Sequence, residues 1–136
     1  MDLNDVKCSL GRCLLKPEFL DRFYEVFLNS HPSFPRLFEN TDFKKQKALL
    51  QTTINYLLMY AEGSKFASTQ LEKVAVIHDE EHVNIKPAYY KYWTESLMQV
   101  VKEHDKDFSP ELEQQWRQVV DPGIQLFISK YKVQAA

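Results

Sequence analysis

The sequence contains few residues that interrupt or cross-link secondary structure: three glycines, six prolines and two cysteines, Cys8 and Cys13, among 136 residues. It has no apolar run that approaches the roughly 18 residues needed to span a membrane. The first residues also lack the charged and then apolar pattern of a signal peptide. These absences predict a cytoplasmic protein in which both thiols stay reduced.

Charge of one sign is not in excess either. The chain has 17 Lys and Arg residues and 19 Asp and Glu residues, which gives a net charge of −2, and it has no long basic block. Proteins that bind nucleic acids or anionic membranes concentrate positive charge on one surface. We therefore expect neither a nucleic acid nor a membrane among the partners of this protein.

Aromatic residues, in contrast, are abundant. They make up 13% of the chain, with nine Phe and seven Tyr, within a hydrophobic content of 44%. A chain of this length can bury one sizeable core, and we expect a single domain over residues 1–136. The aromatic surplus either fills that core or encloses a flat ligand.

The spacing of the apolar residues predicts an all-α protein. They recur every three or four residues and not every two, which is the helical period. We expect six or seven helices, with Gly63 ending the third of them and Pro122 kinking the last. Their expected positions are residues 3–15, from Pro17, from Thr41 or Asp42 to about residue 62, from Ser68 or Thr69, from Pro87, and from Ser109.

The stretch VIHDEEHVNI, residues 76–85, holds two histidines four residues apart, His78 and His82, with three acids between them. In the helix that precedes them, Leu71, Val74 and His78 fall on one apolar stripe, so His78 points into the interior. A core histidine bonded to a backbone carbonyl explains this placement. A metal ligand is the alternative explanation.

Three kinds of metal site compete for His78. Zinc needs three or four protein ligands, and the other histidines and cysteines form no second tight pair. The HExxH motif is absent, and a di-iron bundle would need two Glu-x-x-His motifs, which the chain lacks. Haem needs one axial imidazole on an apolar helix face beside a flat apolar slot. The residue pattern alone leaves the core histidine and the haem ligand open.

Three stretches, taken in order, resemble the bacterial single-domain globins close to the flavohaemoglobin and sensor-globin branch. FYEVFLNSHPSFPRLF is similar to the globin segment in which an aromatic pair on the second helix precedes a proline and then a phenylalanine. TDFKKQKALL is similar to the distal helix, with a glutamine facing the ligand and a leucine one turn on. HVNIKPAYYKYW resembles the turn and helix that follow the proximal histidine, and His78 lies 32 residues after Gln46, as in those globins.

The resemblance extends from about residue 3 to residue 132. It implies the globin fold, a 3-over-3 helical sandwich that encloses one haem b (iron protoporphyrin IX). His78 is then the proximal ligand of the iron. Tyr24 and Gln46 are the distal hydrogen-bond donors, and Leu50 and Phe43 set access to the distal pocket. The residues expected to pack on the haem are Phe38, Val74, Ile85, Tyr90, Trp93 and Leu97.

The proximal turn departs from the flavohaemoglobin pattern, because it is about two residues longer. In flavohaemoglobins a tyrosine and a glutamate stand behind the proximal histidine. Tyr90 is the matching tyrosine here, and Glu111 is the candidate glutamate. His82, which follows the proximal helix, either contacts a haem propionate or is an exposed turn residue.

The resemblance implies reversible binding of O2, CO and NO at ferrous iron, for oxygen transport, delivery or sensing, with no catalytic residue. One alternative is a nitric oxide dioxygenase that works with a separate reductase, and another is a haem-free signalling module. We expect no flavin, nicotinamide or output domain in this protein. We therefore expect a separate reductase or signalling partner, and either a monomer or a homodimer formed by the last two helices.

Overall fold

Seven α-helices and one short 3-10 helix make up the part of the chain that the computed structural model describes, residues 3–78 and 84–131. This architecture confirms the all-α expectation. Both cysteines are free thiols on the first helix, Cys8 exposed and Cys13 buried. None of the described helices has the length and apolarity of a membrane crossing. The helices are α1 (Asn4–Leu14), α2 (Phe19–Leu28), α3 (Phe34–Leu37), α4 (Phe43–Ala61), α5 (Lys65–Ile77), the 3-10 helix (Pro87–Tyr89), α6 (Tyr90–His104) and α7 (Pro110–Lys130).

Helix ends with clear capping chemistry lie where the sequence predicts them. The Asp42 carboxylate accepts hydrogen bonds from the backbone N–H groups of Lys44 and Lys45 at the start of α4. Gly63 follows the end of α4 with a φ of +93°, which glycine adopts without steric cost. The Ser109 hydroxyl accepts from the backbone N–H of Leu112 at the start of α7. Side-chain caps of this kind form between residues two or three apart, so the local sequence indicates where they can occur.

Two helix starts differ from the prediction. α5 begins at Lys65, with Ser64 as its cap, and not at Ser68 or Thr69. The hydroxyl of Ser64, directly after the Gly63 turn, accepts a hydrogen bond from the backbone N–H of Ala67. The helix therefore begins about one turn earlier than predicted. α2 begins at Phe19, two residues after Pro17. Where several residues can cap a helix, the sequence does not decide between them.

α7 packs against α4 and α5, α2 packs against α6, and α1 contacts both α6 and α7. A Cβ on Gly123 would lie 2.1 Å from Cδ2 of Leu57, so a glycine is what allows α7 to approach α4 this closely. Pro122 lies inside α7, as expected. The largest fully buried side chains of the core are Trp116, Phe19, Phe23, Phe34, Ile54, Leu57, Leu71 and Leu97.

A buried carboxylate joins three helices at one end of this core. Asp105, directly after α6, accepts two hydrogen bonds from the Arg12 guanidinium of α1, at 2.6 and 3.0 Å. The Ser9 hydroxyl donates to Asp105 at 2.6 Å and accepts from the indole N–H of Trp116 in α7 at 2.9 Å. Burial alone would raise the pKa of Asp105, but the bonds from Arg12 and Ser9 and from the backbone N–H of Asp107 lower it to about 2.

We expect Asp105→Asn to lower the free energy of unfolding by about 3 kcal/mol, because it removes one partner of a largely buried ion pair. Thermal and urea unfolding would measure the loss. The folded pKa lies below the ordinary aspartate value of about 4, so the carboxylate stabilises the fold above that pH. The advantage of the wild-type chain should therefore fade as the pH falls from about 4 through about 2.

Asp107→Asn is the matched control. The Asp107 side chain is 59% exposed and lies 3.6 Å from Arg12, so its removal should cost under about 1 kcal/mol. Equal losses in the two variants would show that the Asp105 network does not hold the three helices together.

Candidate functional site

An apolar cavity of about 190 Å³ lies between α2, α4, α5, α6 and α7. A single water molecule needs about 10–15 Å³ of such space, and protein interiors contain few voids larger than that. Leu49 and Ile77 line the cavity and are 40% and 42% exposed, so its mouth opens between α4 and the end of α5. The cavity is therefore far larger than a packing void, and its open mouth gives a largely apolar ligand access to it.

His78 stands at one side of the cavity, as the residue that ends α5. Its ring lies edge-on to Phe127 of α7, with 5.8 Å between the ring centroids. Its Nδ1 is 3.2 Å from the hydroxyl of Tyr90, so Nε2 is the nitrogen that a ligand in the cavity can reach. Burial lowers the pKa of His78 to about 4, which keeps the imidazole neutral near pH 7. A neutral imidazole is the form that binds a metal.

The chain contacts His78 again at Ile85. The backbone N–H of Ile85 donates to the carbonyl of His78 at 3.0 Å. The Tyr131 hydroxyl, just after α7, donates to Oδ1 of Asn84 at 2.5 Å. These two contacts fix Asn84 and Ile85 beside the cavity. His82 lies outside the described residues, so its predicted propionate contact remains a prediction.

Tyr24 of α2 and Gln46 of α4 meet on another wall of the cavity. The Tyr24 hydroxyl donates to the backbone carbonyl of Gln46 at 3.3 Å, near the long end of the hydrogen-bond range. Burial raises the pKa of Tyr24 to about 12, so the hydroxyl stays a neutral donor at physiological pH. Leu50 lines the cavity one turn after Gln46 on α4.

Most of the residues predicted from the sequence surround this one cavity. Phe43 and Leu97 are exceptions. The ring of Phe43 packs edge-on against Tyr24, with centroids 5.3 Å apart, and so supports Tyr24 instead of forming the wall. Leu97 is fully buried in the core, one turn beyond Trp93 on α6. The predicted residues that do line the cavity are Tyr24, Phe38, Gln46, Leu50, Val74, His78, Ile85, Tyr90 and Trp93.

Glu111 does not stand behind His78. It is exposed in the first turn of α7, beside Cys8 and Arg12. Phe127, which contacts His78, lies 16 residues further along the same helix, a distance of about 24 Å at 1.5 Å per residue. Tyr90 is therefore the described polar neighbour of the imidazole, and the expectation for Glu111 was wrong.

Sequence reasoning missed several residues of the wall. Leu49 and Thr53 share the helix face of Gln46 and Leu50, so their spacing could have revealed them. Ile124 and Phe127 come from α7 and meet the cavity only through tertiary packing. The full set of missed residues is Phe27, Phe34, Thr41, Leu49, Thr53, Ile77, Tyr89, Ile124 and Phe127.

Comparison with known proteins gives two matches. The globin family model matches residues 18–125. A crystal structure of a Pseudomonas aeruginosa protein, described as structurally highly homologous to a human hemoglobin, superposes with a TM-score of 0.91 and 35% sequence identity. That match covers 96% of this chain and 98% of the other. No curated protein matches the chain.

We expect Tyr90→Phe to change the environment of Nδ1 of His78, because the substitution deletes the only oxygen in the observed contact while keeping the ring. Nuclear magnetic resonance of chains labelled with ¹⁵N-histidine would detect a shift of the Nδ1 resonance and of the tautomer populations. Tyr89→Phe is the matched control, since Tyr89 lines the cavity and contacts the His31 ring. An unmoved His78 resonance in Tyr90→Phe would contradict the contact.

Proposed function

Because the chain belongs to the globin family, we propose that its cavity holds one haem b, that Nε2 of His78 binds the iron, and that the protein binds oxygen reversibly. CO and NO are further expected ligands. The observation that carries the proposal is the neutral, half-buried imidazole of His78 on the wall of an apolar cavity. Transport, delivery or sensing of oxygen are the uses that fit this chemistry.

The donor set and the walls fit this cofactor. Haem needs one imidazole on one side and a flat apolar surround. Here Phe38, Val74, Ile85 and Trp93 contribute apolar wall, and His78 contributes the ligand nitrogen. A porphyrin buries most of its surface in such a cavity, and the apolar burial favours its binding.

Tyr90 and Phe127 have the role of holding the imidazole. A ligating histidine usually uses its second nitrogen to hydrogen-bond a neighbour, which fixes the ring and the tautomer. When Nδ1 carries the proton and donates a hydrogen bond to the Tyr90 oxygen, Nε2 keeps its lone pair for the iron. Burial also raises the pKa of Tyr90, so this oxygen is a phenol and not a phenolate.

Bound haem supplies an iron with one position open to a diatomic gas. Tyr24 and Gln46 are the chain's polar groups for a ligand at that position. The long bond from Tyr24 to the Gln46 carbonyl is weak enough for the hydroxyl to exchange it for a polar ligand. A hydrogen bond to a charged acceptor contributes about 1.5–3 kcal/mol, so oxygen gains more from Tyr24 than CO does. Leu50 narrows the space beside it.

His78→Ala should abolish stable haem binding. Titration of the purified chain with haem, followed by visible absorption, should give a strong Soret band for the wild type that shifts with oxygen or CO. The variant should lose this band and regain it when imidazole is added. His31→Ala is the matched control, because His31 contacts the cavity residue Tyr89 and is not on the wall itself.

Full haem binding by His78→Ala would remove His78 as the iron ligand. A wild-type chain that takes up no haem would remove the cofactor from the proposal. The haem-free signalling module would then account for the fold.

Tyr24→Phe should speed oxygen dissociation at least tenfold, since it deletes a donor that contributes about 1.5–3 kcal/mol. Stopped-flow displacement of oxygen by CO would measure the rate. CO dissociation should change less, because bound CO carries less negative charge. Tyr92→Phe is the control, since Tyr92 is half-buried beside His31 and Phe34 and does not line the cavity. An unchanged oxygen rate in Tyr24→Phe would rule out its donor role.

A further inference from the structure

The outer surface of α4 carries a regular stripe of exposed residues. They recur at intervals of three and four, so they share one side of the helix over about 25 Å. The cavity residues Gln46, Leu50 and Thr53 occupy a different side. We call this set the outer stripe: Lys45, Ala48, Thr52, Asn55, Met59 and Glu62.

The outer stripe is uncharged except at its two ends. From residue 48 to residue 61 α4 contains no Asp, Glu, Lys or Arg, although several of these residues face solvent. A helix face exposed to water normally carries charged side chains, and depletion of charge is typical of the centre of a protein interface. The composition of α4 is therefore typical of a surface that another protein covers.

Apolar side chains extend this surface onto α5. Five of the six large hydrophobic side chains that the described residues leave exposed lie on α4 and α5. Leu49 and Ile77 belong to the cavity mouth, but Met59 and Phe66 do not line the cavity and are 37% and 59% exposed. Phe66 lies against Tyr56 of α4, with ring centroids 6.0 Å apart. A cluster of exposed apolar side chains is a feature that protein interaction sites share.

The outer stripe is complementary to the outer stripe of a second copy that runs in the opposite direction. Two copies of α4 that run antiparallel, related by a two-fold axis at the level of residues 53 and 54, would pair Lys45 with the partner's Glu62 at both ends. Within the chain Glu62 pairs with Lys7 of α1 at 2.5 Å, and these two side chains are 42% and 49% exposed. A carboxylate has two oxygens and can accept from two cations, so Lys45 of the second copy would extend this exposed pair.

The same axis brings the central residues of the outer stripe together. It would pair Ala48 with the partner's Met59, a small with a large side chain, and Thr52 with the partner's Asn55, a hydroxyl with an amide. The amide nitrogen of Asn55 donates to the Gln51 carbonyl of its own helix at 3.1 Å. Its Oδ1 is therefore the atom suited to accept from the threonine hydroxyl.

We propose that the outer stripe of α4 is the contact surface of a two-fold symmetric homodimer. Such an isologous contact requires every residue to face a complementary residue of the same surface, and the three pairs satisfy this. On α6 and α7, in contrast, Arg117 forms ion pairs within the chain with Glu95 and Glu113. The second copy is thus expected at α4 and not at the last two helices.

Sedimentation velocity of the full purified chain tests the proposal through charge reversal. The wild type should sediment at twice the 16.1 kDa mass of one chain. Lys45→Glu and Glu62→Lys should each raise the dissociation constant at least tenfold, because each places like charges together at both ends of the contact. An equimolar mixture of the two variants should recover the dimer, since opposite charges then meet at both ends.

Lys91→Glu is the matched control, because Lys91 is exposed in the first turn of α6, a helix that the proposed contact does not include. It should leave the dimer intact, and circular dichroism should show that all variants are folded. A monomeric wild type would overturn the proposal. So would a dimer that neither variant weakens, or a mixture of the two folded variants that stays monomeric.

Discussion

The cavity depends on how α6 and α7 are positioned relative to each other. Both helices contribute walls, Tyr90 and Trp93 from α6 and Phe127 from α7. Asp105 links the ends of α6 and α7 that lie away from the cavity. Its carboxylate accepts hydrogen bonds from Arg12 and Ser9 of α1 at the end of α6, and the Ser9 hydroxyl accepts one from Trp116 of α7. Removing charges from water is unfavourable, and here several hydrogen bonds to one carboxylate offset that cost. A polar anchor is directional, so it fixes where the helices cross in a way that apolar packing alone would not.

Burial acts on His78, Tyr24 and Tyr90, three titratable groups of the cavity, in the same direction, towards the neutral form. It lowers the pKa of His78 and raises those of Tyr24 and Tyr90, since a low-dielectric surround disfavours each charged state. The imidazole is therefore available as a metal ligand, and the phenols are available as hydrogen-bonding groups, over a wide pH range. The shape of the cavity and the chemistry of its polar groups thus have one cause, the apolar side chains that surround them.

The sequence predicted those features that depend on local spacing. His78 on the apolar stripe and Asp42 as a cap are set within one or two helical turns, and both lie where expected. Glu111 was misplaced because its assignment required knowing how far along α7 the cavity lies. Phe127 and Ile124 were missed for the same reason, as nothing in the pattern of α7 distinguishes a cavity residue from a core residue. The resemblance assigned Phe43 to the access of the distal pocket, but it gives only the position of Phe43 on α4 and not the direction of its ring, which packs against Tyr24.

The pattern of apolar and charged residues in α4 is the hardest to interpret among the described helices, because two of its sides are not typical water-facing surfaces. Gln46, Leu50 and Thr53 line the cavity, Ile54 and Leu57 are buried in the core, and the outer stripe carries no charge between Lys45 and Glu62. A helix with one buried side shows strong contrast between its apolar and charged faces. A helix that also presents an uncharged outer surface loses that contrast. If the outer stripe meets a second copy, the absence of charge over residues 48–61 follows from the same physical rule as the cavity, since both surfaces exclude water.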